Sequence, residues 1–442
     1  MSNLKLAVAV MDIGTTGVRI LVGRITDKGT PKIIAKAETP SSGVIDLSGD
    51  LKMTDLNRCV SSAVDTVLNK TGIEIKSCYV SISNRFVRPV FGSGEVVIVP
   101  PAPITGLNVG EVLNEASNVV YGEDEMLVDI IPVAFRADDK LLFDKPEGTV
   151  CSRLQLEANA VVAKADVVAR VTRLLGDLNI KVDGFVPSFF ASQKVFDASA
   201  FFLSKDCFTV IADVGGASTE ISVYYNGIPF AFDTLPMGGN SISRDLEKVF
   251  SVPENKATRM KFEYGYASRN VLTANTEIPI DRLDAGSEDM VEVSYVVDVM
   301  NARIEEIAQS AFKMAKDIMA RSGIFKPVID KIYFIGDGIV NFKGIGNVLE
   351  SVIDAGDVEA VDKGKDLGIK TSFTTALGML IYISSKIKYG RRPSTVINRN
   401  ETGSGDKADG TEKEGASFGE KTKSFFGGVK TSVKNFFEKL KS

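Results

Sequence analysis

The chain has no histidine and only four cysteines in 442 residues. The missing imidazole excludes Ser-His-Asp and Cys-His catalysis, histidine metal sites and histidine pH switches in one step. Cys59, Cys78, Cys151 and Cys207 are scattered without a Cys-x-x-Cys pair, which reads as buried free thiols in a reducing cytoplasm. Neither Gly-x-x-x-x-Gly-Lys-Ser/Thr nor Gly-x-Gly-x-x-Gly occurs, so P-loop and dinucleotide-fold readings lack their carriers. The N-terminus shows no charged start followed by an apolar signal core. The longest apolar run, Ala376 to Ile383, falls well short of the ~20 residues of a membrane span. A net charge of −5 gives no case for a nucleic-acid partner. Together these absences describe a soluble, cytoplasmic chain unless something anchors it.

What is present is one small design used twice. Val8 to Val22 reads as a strand, Asp12, a turn with Gly14, Thr15 and Thr16, and a second strand. Val210 to Tyr224 repeats it with Asp213, Gly215, Gly216, Ser218 and Thr219. Backbone N–H groups can wrap a triphosphate where side chains are small, and glycine also allows the positive φ of such turns. The hydroxyls add donors. Asp12 and Asp213 would repel phosphate directly, so their natural role is to hold Mg²⁺ through its water shell. Either segment alone reads as hairpin punctuation; two, each between buried strands, point to ATP held between two half-molecules. Met237-Gly238-Gly239-Asn240 follows a strand and opens a helix whose N-terminal N–H groups are expected to face a phosphate or ribose. Gly336-Asp337-Gly338 repeats that strand-to-turn arrangement.

Apolar spacing predicts strands within 4–27, a third at Lys32 to Glu38, and a helix over Thr54 to Asn69 capped by Thr54 or Asp55. Residues 84–162 read as a compact α+β insertion with short strands at 94–99 and 129–133 and a helix around Val109 to Val120. A helix over Val167 to Asp177, a strand at Gly184 to Pro187 and a helix from Ser188 follow. After the second hairpin and a strand at Ile228 to Leu235, residues 241–330 read as mainly helical. Ile332 to Ile335 is a buried strand, and Thr374 to Ser384 a helix. Beyond Gly390 the composition turns polar, too poor in apolar residues to order itself. A tether of roughly 28 residues spans on the order of 30 Å.

The end of the chain is amphipathic. At ~100° per residue, Phe425, Phe426, Val429, Val433, Phe436, Phe437 and Leu440 fall within an arc of about 120°. Lys423, Lys430, Lys434, Glu438, Lys439 and Lys441 fill the rest. Phenylalanines on one face and lysines on the other describe a helix lying in an anionic membrane surface. Docking on the protein's own core, or in a partner's groove, are the alternatives; the tether favours the membrane.

Three segments carry a family resemblance: Asp12-Ile13-Gly14-Thr15-Thr16, Pro236-Met237-Gly238-Gly239-Asn240-Ser241-Ile242-Ser243-Arg244-Asp245, and Ala257-Thr258-Arg259-Met260-Lys261-Phe262-Glu263-Tyr264-Gly265. With the insertion at 84–162 and the tail, the chain resembles the bacterial cell-division actin homologue FtsA over nearly its whole length. The fold this implies is α/β, actin-like (ribonuclease H-like) and duplicated, with a small inserted α+β subdomain, a helical subdomain and a C-terminal amphipathic helix. Residues 1–83 and 163–205 would form the first half, 206–244 and 326–390 the second, and 245–325 the helical subdomain. Residues 391–418 would be a disordered linker and 419–442 the membrane-targeting helix.

The resemblance also implies a function: an ATP-dependent filament at the cytoplasmic face of the cell membrane, at the division septum. Its partners would be its own copies, the C-terminal peptide of the tubulin-like protein FtsZ, and other division proteins. ATP and Mg²⁺ would meet Asp12, Gly14, Thr15, Thr16, Arg19, Asp213, Gly215, Gly216, Ser218, Thr219, Gly238, Gly239, Gly336 and Gly338, with Arg259 and Lys261 toward adenine and ribose. The chain departs from the family pattern at Asp337, between Gly336 and Gly338, and at Ala217, where glycine is usual. Gly17 stands where some relatives carry lysine, leaving Arg19 as the nearest cation. Glu157 and Glu220 are carboxylates near the expected cleft, but neither is assigned as a base, so nucleotide binding is expected with weak turnover at most. A pilus-assembly ATP-binding protein shares the fold without needing the tail. A sugar-kinase phosphotransferase would need a substrate-side aspartate base that is not found.

Overall fold

The computed structural model describes residues 6–26, 31–41, 52–142, 146–196, 198–201, 207–281, 288–324, 327–387, 394 and 396–398. The whole amphipathic tail, Phe425 to Lys441, lies outside the described residues.

Two sheets are built to one plan. The first contains β1 (Ala7–Gly14), β2 (Gly17–Ile25), β3 (Pro31–Pro40), β5 (Ser77–Ile82) and β10 (Lys181–Pro187), in the order β10-β5-β1-β2-β3. The second contains β11 (Phe208–Val214), β12 (Thr219–Tyr225), β13 (Ile228–Leu235), β16 (Lys331–Ile335) and β17 (Asp357–Ala360), in the order β13-β12-β11-β16-β17. Each is an antiparallel three-strand meander to which two strands add in parallel on the side of its first strand.

Parallel strands need crossover helices, and these cover both faces. In β1, Ala7, Ala9 and Met11 face a core completed by α1 (Met53–Thr71) and α3 (Ala165–Asp177), while Val8 and Val10 face α4 (Ser188–Lys194) and α9 (Thr374–Lys386). In β11, Val210, Ala212 and Val214 pack with α5 (Gly239–Phe250), α7 (Val293–Arg321) and α8 (Ile345–Val352). Ile211 packs on the opposite face with Phe196, Tyr224 and Tyr333. The short helix α6 (Glu254–Glu263) follows α5. A hairpin, β14 (Glu277–Asp281) with β15 (Glu288–Glu292), interrupts the segment expected to be mainly helical.

The insertion is a four-stranded antiparallel sheet, β6-β9-β7-β8, formed by β6 (Val87–Pro103), β7 (Glu125–Ala137), β8 (Lys140–Leu142) and β9 (Val150–Lys164). Helix α2 (Gly106–Ala116) closes its core through Val109, Val112 and Ala116. β6 is 17 residues long, far beyond the short strand expected around 94–99. Within it, Gly92 and Gly94 sit under α2, where a Cβ would strike the carbonyl oxygens of Ala116 and Val112. They mark close helix-on-strand approach.

Other expectations shift as well. Helix α1 begins at Lys52 as its cap residue with no side-chain cap bond, so Thr54 and Asp55 lie inside the first turn, where Asp55 still complements the helix dipole. The polar segment after Gly390 does not leave the body at once: β18 (Val396–Asn398) pairs antiparallel with β4 (Ile73–Ile75). Ser394 is buried and its Oγ accepts from the Ala9 N–H at 3.0 Å. Within the linker expected over 391–418, residues 394 and 396–398 are thus held against the body, and 399–418 lie outside the described residues. Pairing with β4 supplies the order that this segment's own composition lacks.

Helix α9 crosses α4 with backbone contact, because Gly378 sits on the Ala191 carbonyl, where a Cβ would clash. Gly378→Val should therefore lower unfolding free energy by about 1–3 kcal/mol through overpacking. A urea midpoint equal to that of the wild type would remove close approach as the reason for this glycine.

Candidate functional site

The tips of β1–β2 and β11–β12 face one another. A Cβ on Gly216 would run into Cγ2 of Thr16, so the two turns touch across the gap. The hairpins share a register: Asp12 pairs with Arg19, and Asp213 pairs with Glu220. Each aspartate therefore sits at the base of its turn, opposite a charged residue of the returning strand.

Between the tips lies a cavity lined on one side by Asp12, Gly14, Thr15, Thr16 and Arg19 and on the other by Asp213, Gly215, Gly216, Ser218 and Gly336. It adjoins a second of about 630 Å³, within the range of small-molecule sites. Thr16, Arg19, Gly216 and Asp337 border both, and Gly239, Lys261 and Gly338 wall the second.

Three expected site residues are placed differently. Thr219 is buried and its hydroxyl donates to the Met237 carbonyl at 2.8 Å, tying strand to helix turn. Gly238 caps α5 and packs on the carbonyls of Gly215 and Gly216. Arg259 is exposed, and its charge acts on Tyr264. The face of α6 that meets the cavity carries Glu254, Thr258 and Lys261, spaced by four and three residues, which leaves position 259 turned aside.

The N–H groups that open α5 are also spent. Gly239 donates to Gly215 at 2.9 Å and Asn240 to Gly216 at 2.7 Å. They brace the hairpin tip, contrary to the expectation that they face a phosphate or ribose. Gly336 has φ +88° and packs where a Cβ would meet Asp213 Oδ1 at 2.5 Å, so only glycine fits there.

Sequence reasoning missed a hydroxyl lining. Ser81 accepts from the Ile13 N–H at 3.0 Å, Ser192 donates to Asp213 Oδ2 at 2.9 Å, and Thr375 donates to the same oxygen at 3.3 Å. A signal was available in Thr371-Ser372-Phe373-Thr374-Thr375, a hydroxyl cluster opening a helix. Of the two extra carboxylates, Glu220 lines the cleft, accepting from Ser83 and from the Asn84 N–H. Glu157 does not: it lies on β9, registered with Ser93 and Ala134 in the inserted sheet.

The electrostatics are lopsided. Arg19 is 5% exposed and holds Glu38 at 3.2 Å, Asp337 at 3.4 Å and the Thr16 hydroxyl at 2.8 Å, with Asp12 at 4.0 Å. Burial raises the Asp12 carboxyl despite Arg19 and Ser81. Burial, then the charge of Glu220, pushes Asp213 up to about 7. Burial likewise raises Glu220. Burial drops Lys261 to about 8, the Asp337 charge opposing it, while its ammonium donates to the Gly239 carbonyl at 3.1 Å. Carboxylates so short of positive charge suit a divalent cation. Among the described residues no three acidic or thiol groups cluster closely enough to cage one.

Compared with known proteins, residues 210–378 match a family described as cell division protein FtsA, and residues 90–162 match the SHS2 domain inserted in FtsA. The cell division protein FtsA of Neisseria meningitidis serogroup B is 24% identical over 379 residues, 84% of this chain and 89% of that protein. That of Escherichia coli K12 is 21% identical over 390 residues, 86% and 91% of the two chains. A solved PilM-PilN type IV pilus biogenesis complex aligns with a TM-score of 0.56 at 15% identity, over 87% of this chain and 99% of its own. Its likeness speaks for fold alone. The architecture is actin-like, with an inserted domain.

The raised Asp213 gives a pH dependence with a definite sign. Its ordinary value is 3.8 and its folded value about 7, so the folded state binds the extra proton between them. Nucleotide-free stability then falls as pH rises through that window and levels off above it. Asp213→Asn should raise the melting temperature in chelator by more at pH 8 than at pH 5. A gain no larger at the higher pH would show that Asp213 is not the group responsible.

Proposed function

We propose, for a chain that belongs to the FtsA family of cell division proteins, that it is an ATP-binding, filament-forming adaptor. It would hold FtsZ at the cytoplasmic face of the membrane at the septum and gather other division proteins there. The observation carrying the nucleotide reading is the contact of two glycine- and hydroxyl-rich tips, Thr16 against Gly216, over a cavity lined by Asp12 and Asp213.

The residues fit Mg-ATP. Gly14, Thr15, Thr16, Gly215, Gly216 and Ser218 would meet phosphates, and Asp12 and Asp213 the magnesium water shell. Lys261, Gly239, Gly336 and Gly338 would wall the nucleoside side. Bound Mg-ATP supplies a multiply charged bridge between the two halves. Glu220 is committed to Ser83 and Asn84, which supports a binding role over rapid hydrolysis. The tail, with Phe425, Phe426, Val429, Lys430, Val433, Lys434, Phe436, Phe437, Lys439, Leu440 and Lys441, would bind anionic lipid. Filaments would present many tails at once, so weak single anchors add up. FtsZ would dock on the region 245–325. The pilus-assembly alternative shares the fold and leaves this tail without a role.

Two measurements test the reading. Asp12→Ala and Asp213→Ala should each abolish the rise in melting temperature given by Mg-ATP; retained protection would refute the cleft. Sedimentation with anionic vesicles should need residues 420–442 and be lost in the double variant Phe436→Glu, Phe437→Glu. Full-length protein left in the supernatant would end the membrane proposal, and vesicle binding without recruitment of FtsZ from the same organism would favour the pilus reading.

A further inference from the structure

We infer that Asp337 is a built-in competitor for phosphate, holding Arg19 across the cleft until a nucleotide phosphate takes its place. The inference rests on the nucleotide reading of the site and assigns Asp337 the role of setting affinity there.

Arg19 comes from β2 in the first half, and Asp337 from the turn after β16 in the second, so their ion pair spans the gap. The first cavity holds Asp12, Asp213, Glu220 and Asp337, and Arg19 is the cation among its described lining residues. Lys261 borders the second cavity and Lys370 is engaged with Glu38 at 2.8 Å. Phosphate arriving at the hairpin end therefore has one buried guanidinium to meet. The partners of that guanidinium differ in how firmly they hold it. Glu38, at 3.2 Å, has a side chain 16% exposed. Asp337 is longer, at 3.4 Å, and 30% exposed, so it is the partner most cheaply returned to water. It also borders both cavities.

The guanidinium is placed for the exchange. Its Nη1 lies where a Cβ on Gly14 would come within 2.8 Å, directly beneath the first tip. Its Nη2 is shared between Thr16 and Asp337. A phosphate offers a guanidinium two parallel charge-assisted bonds and more charge than a carboxylate. In the second hairpin the register equivalent of Arg19 is Glu220, so that tip has no cation to exchange. Phosphate charge is read from one side.

The test is titration of the purified full-length chain with Mg-ATP and with adenosine, followed by calorimetry. Asp337→Asn should tighten Mg-ATP roughly tenfold, the size of a typical coupling between sites, and leave adenosine unchanged. Asp337→Gly should act in the same direction. In an Arg19→Gln background, or Arg19→Met if that variant is unstable, the gain should vanish, as a double-mutant cycle requires. Wild type that binds Mg-ATP while both Asp337 variants gain nothing, or gain equally for adenosine, overturns the exchange alone. No binding by any variant or by wild type overturns the nucleotide assignment and the exchange together.

Discussion

Backbone has to touch backbone at the second hairpin, and much of the cleft depends on that contact. Gly239 and Asn240 donate to the carbonyls of Gly215 and Gly216, and Gly338 donates to Val214 at 2.9 Å. A Cβ on Gly238 would meet Gly215 O at 2.5 Å, and one on Gly338 would meet it at 2.6 Å. Three chain segments distant in sequence thus converge on one turn, and side chains have no room between them. The carbonyls of Val214, Gly215 and Gly216 are consumed by this packing, and Gly216 itself lies against Thr16. Preorganisation of this kind reduces the ordering cost a bound anion would otherwise meet.

The two halves repeat a topology and diverge in charge. The same register puts Arg19 opposite Asp12 and Glu220 opposite Asp213. One hairpin keeps its aspartate beside a cation; the other sets two half-buried carboxylates opposite each other, and their proton affinity rises. A cleft arranged so offers an anion little positive charge beyond Arg19 among its described lining residues. The carboxylates left over are tied to Ser83, Ser192 and Thr375. Groups held that way order a cleft; they are poorly free to move a proton.

Local features were legible in the sequence, and long-range ones were not. Each hairpin is a single stretch of chain whose strands, aspartate and glycines determine the turn, so Asp12 and Asp213 stand where the pattern puts them. Thr219 and Gly238 carry the right residue types, but their partners are Met237 and Gly215, which only the folded chain supplies. Arg259 lies about 100° round α6 from Thr258, and its side chain is exposed while Thr258, Lys261 and Phe262 line the cavity. The strand expected at 94–99 runs on to 17 residues because its pairing with β9 and its cover by α2 are invisible from its own pattern. The pairing of β18 with β4 brings together residues from opposite ends of the body, a contact no local propensity encodes.

Helix α9 draws these parts into one body. At its start Thr375 bonds Asp213 in the cleft, and near its end the Tyr382 hydroxyl bonds Asp129 of the inserted sheet at 3.0 Å. Between them Gly378 rests on the backbone of α4, and Leu380 lies where a Cβ on Gly23 would strike it. A helix gripped at both ends and along its length cannot slide without opening a packed core, which is resisted as any cavity is. The cleft and the inserted sheet therefore hold one packed element between them, Asp213 meeting it at its start and Asp129 near its end.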